Sequence, residues 1–301
     1  MKNAIRPTTI IQSVKLNRQL GCDVVLASET FQHTGSFKFR AGYNLAKHVE
    51  QDTILTESSG NFGQALAYAC QLLGKKCVVV MPSTSVQVKV DAVRNFGGIA
   101  ELTDVKVKSR RARLEELIKE YPDAYVASAY NDRHVIEGNA SLGREICGLS
   151  QEIDFVLAPV GGGGLTSGII EGIKQCGKRI KVVGAEPAMA NDASRSLQAG
   201  HIVANEQEPQ TIADGARVLS IGNLNWAILH DGIERIIEVS EEDIKTGLKL
   251  LFNLANLKCE PTGALSIGAL LCKPDSFRGK TVCCVISGGN VDPSIYKELI
   301  S

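Results

Sequence analysis

The sequence predicts an α/β fold of open, mainly parallel sheets with helices on both faces. Two observations lead there. Short apolar runs alternate with amphipathic stretches along nearly the whole length, as in repeated strand–helix units. The unusual Gly-, Ser- and Asn-rich turns fall where predicted strands end, and such sheets place ligands at the carboxyl ends of their strands.

Taken in order, residues 23–28 read as an extended apolar strand, with 24–27 its apolar centre. Further strands are predicted at 53–56, 77–81, 99–102, 125–127, 155–159, 182–185 and 282–286. Helical spacing recurs at 37–49 (Phe37, Tyr43, Leu45, Val49) and at 61–73, 86–96, 107–121, 135–147, 165–176, 241–254 and 263–271. Residues 199–213 have weak periodicity and read as a connecting excursion. There is no repeat, low-complexity segment or Gly/Ser linker, so a domain boundary has to come from the chain crossing between two sheets.

Composition excludes several function classes. Within 301 residues, 44% hydrophobic and 22% charged is ordinary for a globular chain of one large domain or two. Thirty-three basic residues balance thirty-three acidic ones, so no broad field attracts nucleic acid or an anionic membrane. No apolar run approaches the ~20 residues of a spanning helix. Met1-Lys2-Asn3 opens no signal peptide, and a cytoplasmic location is expected. The nine cysteines are odd in number, scattered and without a Cys-x-x-Cys pair, which suits buried reduced thiols better than zinc or a disulfide framework.

Thr34-Gly35-Ser36-Phe37-Lys38-Phe39-Arg40 is a polar turn running into a helix, with Lys38 in its first turn. A cation there opposes the helix dipole. Lys38 is then either an ordinary surface lysine or an amine whose proton affinity is lowered by burial and the dipole, as lysines that bond carbonyl carbons require.

Three later turns bear on that choice. Glu57-Ser58-Ser59-Gly60-Asn61-Phe62-Gly63-Gln64 joins a strand to a helix and is either a set of helix caps or an anion cradle. Gly161-Gly162-Gly163-Gly164 follows the strand ending at Val160. Four consecutive glycines are costly in a folded chain, which argues for a backbone wrapped round an anion. No Gly-Lys-Ser/Thr closes the loop as a Walker motif requires. The dinucleotide fingerprint fails in both registers, although Glu186 stands near the place of its ribose-binding acid. Ser287-Gly288-Gly289-Asn290 ends the last predicted strand and puts a hydroxyl where a crevice ligand would meet it.

Together the Ser-Phe-Lys, Ser-Ser-Gly-Asn, tetraglycine and Ser-Gly-Gly-Asn motifs resemble the fold-type II family of pyridoxal-phosphate enzymes, in its serine/threonine dehydratase and serine racemase branch. The resemblance runs from Arg6-Pro7-Thr8 to Asp292 in the family's order. It implies two domains, each with a mainly parallel sheet: a small one at 53–131 inserted into a large cofactor domain of 1–52 and 132–301. It also implies a homodimer and a small amino-acid substrate. Lys38 would hold the cofactor covalently and act as base on one face, with Phe37 beneath the pyridine ring. Gly215 would leave the opposite face uncrowded, and Asn61 would bond the cofactor's 3′-oxygen. Gly161, Gly162, Gly163 and Gly164 would cradle the phosphate, and Ser287 would meet the pyridine nitrogen. Ser58, Ser59, Gly60 and Asn61 would bind substrate, with Ser59 as the second-face acid/base of racemases. Glu186, Ala190 and Asp192 match the divalent-metal site of racemase-like members, a hard oxygen set suited to Mg²⁺ or Ca²⁺. Glu260-Pro261-Thr262-Gly263 also matches, close to the cofactor.

The chain departs from the branch at Phe62, where histidine is usual, and at Glu137-Gly138-Asn139-Ala140-Ser141. Feedback through a C-terminal regulatory domain is not expected. The implied activity is dehydration and deamination of L-threonine, L-serine or 3-hydroxyaspartate. A serine racemase is the alternative, followed by a β-replacement enzyme and, from another class, a nucleotide-binding oxidoreductase or binding module.

Overall fold

The computed structural model describes residues 4–58, 60–85 and 87–301. The chain begins with β1 (Thr9–Gln12), α1 (Val14–Leu20), β2 (Asp23–Ser28) and α2 (Lys38–His48). It continues through β3 (Thr53–Glu57), α3 (Asn61–Leu73), β4 (Lys76–Pro82), α4 (Gln87–Asn95), β5 (Ile99–Thr103), α5 (Arg110–Glu120) and β6 (Tyr125–Ala127). Then come α6 (Arg133–Cys147), β7 (Phe155–Pro159), α7 (Gly164–Gln175), β8 (Lys181–Pro187) and α8 (Asp192–Ala199). The last elements are α9 (Asn223–Gly232), β9 (Arg235–Val239), α10 (Glu241–Ala255), α11 (Pro261–Cys272), β10 (Thr281–Ile286) and α12 (Pro293–Ile300).

The strands form two sheets, ordered β1-β2-β10-β7-β8-β9 and β5-β4-β3-β6. All pairings are parallel except the antiparallel edge pair β1–β2. Both faces of each sheet are covered, which is why the central strands read as continuous apolar runs. On β10, Val282, Cys284 and Ile286 join the core beneath α10 and α11. Cys283 and Val285 point to the opposite core, with α6 and α7 residues. On β4, Cys77, Val79 and Met81 alternate in the same way with Val78 and Val80. α11 packs on β7, β8, β9 and β10 and is buried at ten of its positions, as its apolar sequence requires. Among the described residues no helix is long and apolar enough to cross a membrane.

Every predicted strand is present, and β1 and β9 are additional edge strands of four and five residues. The predicted helix 107–121 starts later, at Arg110, because the Ser109 hydroxyl accepts the Ala112 N–H and so caps it there. The predicted helix 86–96 is present from Gln87, and Val86 lies outside the described residues. The excursion predicted at 199–213 is irregular from Gly200 to Ala213, with Ala199 closing α8.

Candidate active site

Five strand ends supply the site: β2, β7 and β10 of one sheet, β3 and β6 of the other. β2 and β10 run in register, with Ser28 opposite Ile286, so the turns after them meet. The Phe37 N–H donates to the Ser287 carbonyl at 3.0 Å, and the Gly289 N–H donates to the Gly35 carbonyl at 2.9 Å. A Ser36–Gly288 bridge lies between those two bonds. The Lys38 turn and the Ser287-Gly288-Gly289-Asn290 turn are therefore one hydrogen-bonded unit.

Lys38 opens α2, whose first turn holds no acidic residue. Its ammonium donates to the Ala129 carbonyl at the end of β6, 2.8 Å away, and so reaches across to the other sheet. The nitrogen lies 4.9 Å from the Phe37 ring centre and 5.7 Å from that of Phe62. Burial lowers the Lys38 amine to about 8, against the opposing pull of the Glu260 charge. That is the property expected of a reactive lysine and not of a solvated one.

The tetraglycine turn leaves no room for side chains. A Cβ at Gly162 would lie 2.3 Å from the Tyr130 ring, one at Gly164 3.0 Å from the Tyr130 backbone, and one at Gly161 2.9 Å from Ala216. Gly163 has φ +90°, which a residue with a Cβ rarely adopts. The turn then leads into the amino end of α7, where an anion is favoured. Asn225 fixes it from outside by donating to the Gly162 carbonyl at 2.6 Å. Gly215 donates its N–H to Thr262 Oγ1 at 3.0 Å.

The Ser287 hydroxyl is 1% exposed and has no hydrogen-bond partner among the described residues. An orphaned buried hydroxyl at a strand end, a glycine cradle and a lysine of lowered proton affinity together fit pyridoxal phosphate. Asn61 is held otherwise than by a cofactor: its Nδ2 donates to both Glu260 oxygens at 2.9 and 3.1 Å, and its Oδ1 accepts from Asn290 at 2.8 Å. Ser58 Oγ accepts the Gly63 N–H at 3.1 Å and so serves the start of α3, at whose threshold Gly60 stands. Ser59 lies outside the described residues.

Glu186 stands near the end of β8 and faces Asp192 at the start of α8, with Ala190 in the turn between them, all at most 1% exposed. Glu186 accepts the Ala193 and Ser194 N–H groups at 2.9 and 2.8 Å. Burial first, then the Asp192 charge, push the Glu186 carboxyl well up, and burial brings Asp192 to about 6. Asp192 Oδ2 is buried without a partner among the described residues, which fits a cation there. Among the described residues no three His, Cys, Asp or Glu side chains gather as a metal cluster, so these two carboxylates would need backbone oxygen or water to complete a site.

Sequence reading missed Tyr130 and the Ala129 carbonyl, and gave Glu260 no role. Their one signal was position, since 128–130 and 260 flank a predicted strand end and a helix start.

Comparison with known proteins agrees with this geometry. The chain is 34% identical over 296 residues to the β-hydroxyaspartate dehydratase of Paracoccus denitrificans (strain Pd 1222), covering 97% of this chain and 93% of that one. It is 33% identical to the serine racemase of Mus musculus, with 97% and 88% covered. The crystal structure of T.th. threonine deaminase superposes with a TM-score of 0.90 at 37% identity, over 96% of this chain and 94% of that one. Residues 1–288 match the family described as "Pyridoxal-phosphate dependent enzyme", and the chain belongs to that family.

Proposed function

We propose that the protein is a pyridoxal-phosphate-dependent dehydratase that converts a small β-hydroxy amino acid into a 2-oxo acid and ammonia. L-Threonine, L-serine and 3-hydroxyaspartate are the candidate substrates, in keeping with the relatives named above. The observation that carries the reading is the Lys38 amine, brought to about 8 by burial and set between Phe37, Phe62 and the Ala129 carbonyl.

When bound, the cofactor supplies an electron sink for the charge left at the substrate α-carbon. Lys38 would bond the cofactor and, once displaced by substrate, take the α-proton. A proton affinity near working pH serves that task. Gly161, Gly162, Gly163 and Gly164 would hold the phosphate, Phe37 the ring, Ser287 its nitrogen and Asn61, whose amide would first leave Glu260, its 3′-oxygen. Gly215 would border the far face. A neutral hydroxyl at Ser287 leaves the ring a moderate sink, suited to elimination. Ser58, Gly60 and Asn61, around the amino end of α3, would receive the substrate carboxylate together with Ser59. The β-hydroxyl would leave as water, taking up the proton equivalent that Lys38 removes from the α-carbon, and the freed enamine would hydrolyse to the 2-oxo acid and ammonia.

Glu186, the Ala190 carbonyl and Asp192 would hold Mg²⁺ or Ca²⁺, a reading supported by the unpartnered Asp192 oxygen. A division into 53–131 and the remainder, a homodimer and a cytoplasmic location complete the proposal. The family assignment displaces the nucleotide reading of the glycine turn.

The test is to incubate holoenzyme with each substrate and measure 2-oxo acid beside chiral amino-acid analysis. Oxo-acid release should dominate. If serine enantiomers interconvert faster than pyruvate forms, the racemase reading, which Ser59 supports, takes its place.

A further inference from the structure

We infer that Cys147 and Cys176 are a dithiol that a small oxidised disulfide, such as oxidised glutathione, closes into a bridge between α6 and α7. These helices run side by side in the same direction. A Cβ at Gly168 would meet Asn139 and the Ile136 carbonyl, and one turn on a Cβ at Gly172 would meet the Ala140 carbonyl, Gly143 and Arg144. A Cβ at Gly143 would in turn lie 3.1 Å from the Gly172 Cα, so the two backbones touch there. Cys147 and Cys176 stand four residues beyond Gly143 and Gly172. Positions four apart share a helix face, so the next pair to face across the seam is these two thiols. The two thiols are themselves in contact, and a disulfide spans a Cα separation of about 4.4–6.8 Å. Lys178 closes over the place by donating to the Cys147 carbonyl at 2.6 Å.

The two sulfurs differ in access. Cys176 is exposed and Cys147 is buried. Burial, and then the contact with the Cys176 thiol, push the Cys147 thiol up to about 11. Exchange therefore begins at Cys176. Its thiolate attacks one sulfur of the oxidised disulfide, forming a mixed disulfide and releasing one small thiolate. Cys147, losing its proton to solvent, attacks Cys176 Sγ and expels the second small thiolate. The two protein thiols are oxidised, one small disulfide is reduced to two thiols, and two protons pass to solvent or those thiols. Cys70 and Cys77 also touch, but both are buried, so an oxidant has no entry to them.

The bridge would tie the carboxyl ends of two helices whose amino ends carry the glycine cradle and the segment beyond Tyr130. The test treats holoenzyme with oxidised glutathione and then maps peptides without reduction. The expected product links the Cys147 and Cys176 peptides and raises Tm by on the order of 5 °C. Cys176→Ser, a change at an exposed site, should lose both the link and the shift, as should Cys147→Ala. Glutathione remaining on Cys176 beside a free Cys147, or a Tm shift that persists in Cys176→Ser, would overturn the inference.

Discussion

The Asn61 amide nitrogen lies 2.9 and 3.1 Å from the two carboxylate oxygens of Glu260, joining the start of α3 to the start of α11 across 199 positions of sequence. Asn290 holds the other end of the same amide at 2.8 Å, and itself donates to the Thr34 carbonyl at 2.7 Å. One side chain thus ties the strand end of one sheet to two turns of the other.

Glu260 carries a pH dependence with a definite sign. Burial, and then the Asp214 charge, raise its carboxyl to about 8. A folded-state value raised above the unfolded 4.5 contributes stability fully below that value and loses it as pH rises towards about 8. Tm should therefore fall between about pH 5 and 8 more steeply in wild type than in Glu260→Gln, which keeps an oxygen to accept from Asn61. Parallel profiles in a thermal scan would refute this assignment.

Lys38→Ala removes the amine that would bond the cofactor. Turnover should drop at least about 10³-fold and the visible absorbance band of the loaded enzyme should vanish. Borohydride reduction of wild type followed by peptide mapping should place the label on Lys38. A label on another lysine would sink the assignment.

At Gly162 an added methyl would enter the Tyr130 ring, 2.3 Å from its nearest carbons. Overpacking of this kind typically costs about 1–3 kcal/mol. Gly162→Ala should lower Tm and weaken cofactor retention, read by absorbance after dialysis. Tyr130→Ala in the same chain should recover part of both. No recovery would mean that the ring is not the obstacle.

Ser59→Ala separates the two activities proposed for the site. A general acid–base group contributes about 10²–10⁴-fold, so racemisation should fall by that order. Elimination from the L-substrate needs Lys38 alone as base and should fall much less, whereas elimination from the D-substrate should collapse. Equal losses with both enantiomers would remove Ser59 from the chemistry.

The parts of this site legible in the sequence are those where residue type is itself the constraint. Four glycines in a row admit few explanations, and a Ser-Gly-Gly-Asn turn after a β-branched strand marks a strand end. The Ala129 carbonyl could not be found that way, because every residue carries a carbonyl. Tyr130 escaped for another reason: its contact with Gly162 depends on how two sheets meet, not on either local stretch. The short edge strands β1 and β9 and the helices α1, α8, α9 and α12 were missed alike, each five residues or fewer as a strand, or ten or fewer as a helix, too short to repeat its period more than about three times.

The place of β10 between β2 and β7 bears on the order in which the protein is made. The four-stranded sheet draws all its strands from one stretch, Thr53 to Ala127, and can close while the ribosome is still working. β2 emerges early but must wait for almost the entire chain before its parallel neighbour arrives, with only the short β1 to pair with meanwhile. The Lys38 turn waits with it, because the groups that fix it belong to Ser287, Gly288 and Gly289. A nascent chain stalled before residue 281 would thus carry its lysine on α2 behind a turn still lacking those bonds, and a fully fixed lysine would arrive only with the last strand.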